Sequence, residues 1–123
     1  PISAITGASL DIIGKDQSSR VLIEQMMEEC QKVGEAVGVH FGVSIDKRID
    51  GASSIIGHKP STRQDIEMKR PLEIDPIMSA IIEIGNKLRI PTPMLKHINS
   101  ILKRKADYLG LYKRNELIEK LTI

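Results

Sequence analysis

The side chains best equipped for chemistry crowd into one stretch, Ser61 to Asp75, which reads Ser-Thr-Arg-Gln-Asp-Ile-Glu-Met-Lys-Arg-Pro-Leu-Glu-Ile-Asp. Ser61 brings a hydroxyl and Glu73 a carboxylate, each at the opening of a helix, and His58 lies just upstream. A hydroxyl at a helix mouth can be offered to a ligand, because the N-terminal backbone donors favour anionic groups. Each residue also has a plainer reading. Ser61 can serve as a cap, Glu73 can be an acidic first-turn residue held by the helix dipole, and His58 can be a loop histidine. A neutral imidazole has one donor and one acceptor, and a protonated one binds carboxylates. Asp65 and Arg70 fit an ion pair that clamps the turn between the two helices. His40, His58 and His97 fall in separate segments, and Cys30 is alone, so metal-ligand spacing is absent.

The elements that must hold these groups follow from pattern. Ser61 and Gln64 have the spacing of a capping box, so a short helix is predicted from Ser61 to near Lys69, where Pro71 stops it. Asp75-Pro76 predicts the next start, with Asp75 as N-cap and Pro76 in the first turn. That second helix runs from Glu73 or Asp75 to about Leu88, with Ile77, Ile81, Ile84 and Leu88 facing inward beside Met78 and Ile82. Gly85 within it costs about 1 kcal/mol relative to Ala, which a close helix crossing would offset.

Upstream, Pro1 to Thr6 reads as the tail of a helix stopped by Gly7, and Ala8 to Asp16 as a loop. The stripe Leu22, Met26, Cys30, Val33, Val37 predicts a helix from Ser18 or Ser19 to Val37, mostly buried and ended by Gly38. Ser44 caps another to about Gly57, with Ile45, Ile49, Ala52 and Ile56 on one face. Downstream, Thr92 and Pro93 open a helix to about Tyr108 with Leu95, Ile98, Ile101 and Leu102 inward. A short last helix follows from Lys113 to Leu121. Lys103-Arg104-Lys105 reads as a solvated basic face suited to the helix dipole.

The chain of 123 residues fits one domain and can bury about two thirds of its unfolded surface. With Phe41, Tyr108 and Tyr112 as its aromatics and no Trp, the core must be aliphatic, which favours helix on helix. A net charge of +2 with 28% charged residues is too balanced to argue for nucleic acid on its own, and no nucleic-acid partner is expected. The single cysteine suits a reducing, cytoplasmic setting. No apolar run approaches the roughly 18 to 20 residues that span a bilayer, so no membrane role is expected.

The runs His58-Lys59-Pro60-Ser61, Gln64-Asp65-Ile66-Glu67, Arg70-Pro71-Leu72-Glu73-Ile74-Asp75 and Ile90-Pro91-Thr92-Pro93 resemble the C-terminal domain of ketopantoate (2-dehydropantoate 2-) reductases, with similarity from Pro1 to about Tyr112. The resemblance implies an all-α, compact multi-helix domain of the 6-phosphogluconate dehydrogenase C-terminal-like type. It implies an NADPH-dependent oxidoreductase that converts ketopantoate to pantoate, for pantothenate biosynthesis, or reduces a related 2-oxo acid. Reducing a ketone leaves an alkoxide that needs a proton, and the substrate's carbonyl and carboxylate must be held. On this resemblance Glu73 is catalytic and binds substrate, Ser61 and His58 bind substrate, and an upstream Lys is the general acid. NADPH would be held by an N-terminal Rossmann domain outside this chain, so the chain alone should be inactive. Leu10 and His58 stand where many members carry Asn, which points to a more apolar 2-oxo acid. The alternative is a helical module for homodimerisation whose catalysis is lost or redirected.

Overall fold

The computed structural model describes all 123 residues and consists of helices joined by short connectors. In order these are α1 (Ile2–Thr6), α2 (Leu10–Lys15), α3 (Gln17–Ala36), α4 (Ile45–Ser53), α5 (Ser61–Glu67), a π-helical turn (Asp75–Ser79) that runs straight into α6 (Ala80–Leu88), α7 (Pro93–Tyr108) and α8 (Glu116–Leu121). The all-α architecture follows from an aliphatic sequence patterned at helical spacing. One core joins Ile2 and Ala4 of α1, Ile13 of α2 and Met26 of α3 to Leu72, Ile74, Met78, Ile82 and the inner face of α7. Burying a Leu or Ile side chain contributes about 1.5 to 3 kcal/mol, so this cluster carries the fold.

Several sequence expectations need correction. Ala8 to Asp16 is not all loop, because Leu10–Lys15 forms α2. Six residues are too few for a helix to stand on propensity. What holds α2 is packing: Ile13 is buried, and Gly14 lies so close to α4 that a Cβ there would sit 1.7 Å from Ser53 Oγ. α3 starts earlier than expected, capped by Asp16, whose Oδ2 accepts the Ser19 N–H at 2.8 Å. Nor is α3 mostly buried. Met26 and Val33 are, while Ile23, Met27 and Cys30 are half-exposed along an open apolar cavity. Ser44 does cap α4, accepting the Lys47 N–H, but α4 ends at Ser53 and leaves Ile56 at the surface.

The helix after Asp75 faces inward along a different line from the one expected. Met78, Ile82 and Gly85 are buried, whereas Ile77, Ile84 and Leu88 are substantially exposed. The cause is the π-turn, in which the Ala80 N–H reaches back to Asp75 O and one extra residue enters the turn, shifting the stripe. Gly85 meets the anticipated close crossing, since a Cβ there would lie 3.0 Å from Thr92 Cγ2 and 3.3 Å from Val33 Cγ2. On α7 the inner face is Leu95, Ile98, Asn99, Leu102, Lys103 and Ala106, and Ile101 points outward.

Thr92 precedes α7 but makes no capping bond, and its buried Oγ1 has no hydrogen-bond partner. The cap comes from α3 instead. The Glu29 carboxylate accepts the Met94 and Leu95 N–H groups at 2.8 Å each, filling two of the four donors a helix start leaves open.

Candidate functional site

Ser61 is the first residue of α5, and the capping box expected there is not made. Pro60, in extended geometry (φ −59°, ψ 154°), takes the cap position, so the Ser61 hydroxyl is already inside the first turn and makes no cap bond. Gln64 Nε2 donates instead to Lys59 O at 2.7 Å. Ser61 is exposed and its hydroxyl is free of structural duty as a cap.

His58 is exposed and its carbonyl accepts the Leu10 N–H at 3.1 Å, tying the histidine's loop to the first residue of α2. The Gly57 N–H adds a second tie to Asp11 Oδ1 at 3.0 Å. The two positions that depart from Asn in the resemblance, Leu10 and His58, are thus held side by side through the backbone. Beside them opens an apolar cavity of about 300 Å³, with Leu10 and Pro60 in its wall and Ile13, Met26, Ile77 and Ile81 among its other lining residues. Its serine, Ser3, is already committed to Ala8 O. Cys30 also lines it, and burial pushes that thiol above its ordinary value, with Glu29 adding to the effect.

Glu73 stands beyond the turn that ends α5. Arg70 Nε meets Asp65 Oδ1 at 2.8 Å and the Arg70 N–H meets Asp65 O at the same distance, so the expected clamp is present. The chain then stays out of helix until Ile74, which is already helical (φ −73°, ψ −47°), with Leu72 and Ile74 buried (7% and 2% exposed) and Glu73 between them exposed. The Glu73 carboxylate stands in none of the domain's ion pairs. Ser61, His58 and Glu73 are therefore all at the surface, and none of them lines the apolar cavity: Pro60 and Leu10, which adjoin Ser61 and His58, do, whereas Leu72 and Ile74 beside Glu73 do not.

Asp75 is not the N-cap the sequence suggests. Its carboxylate accepts the Ser79 hydroxyl at 2.7 Å and the Tyr112 hydroxyl at 3.0 Å, and lies 3.1 Å from Lys103 Nζ. Lys103 is only 3% exposed and also pairs with Glu119 of α8 at 2.8 Å. A buried ammonium needs such partners, which is why the carboxylate turns to it and away from the helix start. Burial alone would raise the Asp75 carboxyl, but the bonds from Ser79, Lys103 and Tyr112 outweigh it and hold it below its usual range. Burial would lower Lys103, and its partners Glu119, Tyr112 and Asp75 lift it instead. Tyr112 is raised, chiefly by burial. The basic run is thus not a solvated face, since Lys105 Nζ also turns inward to Ala4 O and Ile5 O, at 2.7 and 2.8 Å.

Comparison with known proteins places this geometry. The family described as "Ketopantoate reductase PanE/ApbA C terminal" matches residues 1–106. This chain belongs to that family. A 2-dehydropantoate 2-reductase of Mesorhizobium japonicum is 42% identical over 112 residues, covering 91% of this chain and 34% of the relative. Among solved structures, a candidate ketopantoate reductase from Ralstonia solanacearum MolK2 superposes with a TM-score of 0.85 at 28% identity, over 91% of this chain and 34% of that one. A D-mandelate dehydrogenase solved with NADH and anilino(oxo)acetate gives 0.77 at 26% identity, over 89% of this chain and 62% of that one. The chain thus spans about a third of the length of the curated relative it matches. No helix in it is long and apolar enough to cross a membrane, and no cluster of three or more His, Cys, Asp or Glu is arranged to hold a metal ion.

Proposed function

We propose that this chain is the substrate-facing domain of a nicotinamide-dependent 2-oxo acid reductase, acting on 2-dehydropantoate or a close analogue. Glu73 and Ser61 hold the substrate by hydrogen bonds near the reacting carbon, and His58 binds its carboxylate when protonated. Leu10 and Pro60 supply an apolar wall for the substrate's carbon skeleton.

The domain's own residues do not fit the cofactor. A dinucleotide pyrophosphate is cradled by a strand, a glycine-rich turn and a helix start, and this chain forms no strand. In the proposed enzyme NADPH is therefore held by a separate Rossmann domain. This domain's part is to bind, orient and enclose the 2-oxo acid.

The observation that carries the proposal is Glu73, an exposed carboxylate outside every ion pair of the domain, set between two buried residues. Exposed Glu28 and Glu116 also stand outside the ion pairs, and Glu73 differs from them in lying between buried Leu72 and Ile74, two positions from the anchored Asp75. Family membership supports the same reading. In the full-length protein, Glu73→Ala should lower kcat for 2-dehydropantoate by at least about tenfold. An unchanged rate would remove Glu73 from the site. The 123-residue chain alone should show no reduction at all.

A further inference from the structure

Glu73 itself touches little, so whatever fixes it must act through its neighbours. On one side, the Leu72 N–H donates to Leu111 O at 2.9 Å. On the other, Asp75 accepts the hydroxyl of Tyr112, the next residue along, at 3.0 Å. The chain reaches that point by turning off α7 at Gly110, whose φ of +70° is open to glycine at little steric cost. The Leu111 N–H bond to Ala106 O, at 2.8 Å, locks the turn. The segment from Gly110 to Tyr112 is thus a strap across the back of Leu72–Asp75, bonded on both sides of Glu73.

The strap is itself anchored. Lys103 Nζ lies 3.1 Å from Asp75 and 5.5 Å from the centroid of the Tyr112 ring, and Ser79 donates to the same Asp75 oxygen at 2.7 Å. Three donors therefore converge on one carboxylate two residues from Glu73. Asp75 O also accepts the bond that closes the π-turn, so the same residue sets the start of the helix.

We propose that Tyr112, acting through Asp75 and backed by Lys103, is a positioning residue for the Glu73 carboxylate. This rests on the reading of Glu73 as a substrate-contacting group. Tyr112 touches no substrate. It sets the angle at which the segment entering the π-turn presents Glu73, and a displacement of about 1 Å at a reacting group can cost on the order of 100-fold in rate.

The test is a double-mutant cycle in the full-length reductase, with 2-dehydropantoate as substrate. Tyr112→Phe removes only the hydroxyl and should lower kcat about tenfold while changing KM less than about threefold. In a Glu73→Gln background the same substitution should change kcat less than about twofold, because a group acting through Glu73 has nothing left to position. Effects that multiply in the double variant, or a Tyr112→Phe enzyme with unaltered kcat, would overturn the proposal. Glu29→Gln is the control for stability, because it weakens the start of α7 far from the strap and should leave kcat unchanged. If it lowers kcat as much as Tyr112→Phe, the strap is merely structural and the proposal fails. Should Tyr112→Phe not fold, Ser79→Ala removes another donor to Asp75 and enters the same cycle with the same criteria. A Glu73→Gln enzyme with full activity would sink the functional reading itself, an outcome distinct from failure of the coupling alone.

Discussion

Replacing Lys103 with Met is the sharpest test of how this domain is held together. Met keeps most of the side-chain volume and the apolar stem but removes the ammonium. Asp75, whose side chain is 20% exposed, then loses its counter-ion and keeps only the Ser79 and Tyr112 hydroxyls. Glu119, 35% exposed, can still reach Arg114 at 3.3 Å. Breaking a fully buried ion pair costs about 3 to 5 kcal/mol. Because Asp75 retains two donors and some solvent, the lower end applies, about 3 kcal/mol. For a domain of this size each kcal/mol shifts Tm by about 4 °C, so the midpoint should fall by about 12 °C. Far-UV circular dichroism on the 123-residue chain at neutral pH, by heat and by urea, reads this directly. Adding Asp75→Asn should recover at least half the loss, since no unpaired charge then remains inside. A fall of less than about 3 °C, or a double variant as unstable as the two single losses added together, would show that the pair does not carry the weight assigned to it.

Three further predictions follow from the same geometry. Asp75 titrates in the fold below its unfolded value near 3.8, so its contribution is present above that pH and disappears as pH falls through the folded value. Lys103 and Tyr112 are raised above 10.5 and 10.0, so theirs is present below those values and is lost as pH rises past them. Urea midpoints across pH should therefore drop at both ends, and Asp75→Asn should flatten the acid limb; an unaltered limb would place the acid sensitivity elsewhere. Glu29→Ala should cost about 2 kcal/mol, because it strips α7 of two charge-assisted caps. Faster amide exchange at Met94 and Leu95 should accompany the loss, and native-like protection there would refute the capping role. Gly14→Ala should cost about 2 kcal/mol or more by driving a methyl into Ser53 Oγ, and Ser53→Gly in the same chain should restore most of it. Equal stability of Gly14→Ala and the parent would mean α2 and α4 can part without cost.

Where residues obey one period, the sequence is readable. Met26 and Val33 on α3, and Leu95, Ile98 and Leu102 on α7, are buried as their spacing predicts. The misreadings come from interactions between distant parts of the chain. Thr92 looks like a cap, but the group that fills the role, Glu29, lies on another helix and carries no local signal. Lys103 looks like part of a basic run, yet it stands one turn beyond Asn99 on the inner face of α7, a register that did mark it as buried. The π-turn at Asp75 shifted the inward line of α6 by a residue, and nothing in a hydrophobic pattern announces an i to i+5 bond. Leu10–Lys15 went unseen as a helix because it is held by contact with α4 and not by its own propensity.

The stretch Leu72-Glu73-Ile74-Asp75 explains why a motif of this kind has fixed spacing. Leu72 and Ile74 are buried and Glu73 between them is exposed, and a strand-like alternation continued by one residue would send Asp75 outward with Glu73. Asp75 does not point outward, because Ile74 is already helical (φ −73°, ψ −47°) and the π-turn begins at Asp75, which brings that carboxylate to Lys103. The acid that can meet a ligand and the acid that binds the core therefore differ by standing before and after the point where the chain becomes helical, not by their chemistry. Lys103 pairs with the carboxylate inside the turn, and the one that precedes the helix is left free at the surface. A site read from residue types alone would have no means of telling the two apart.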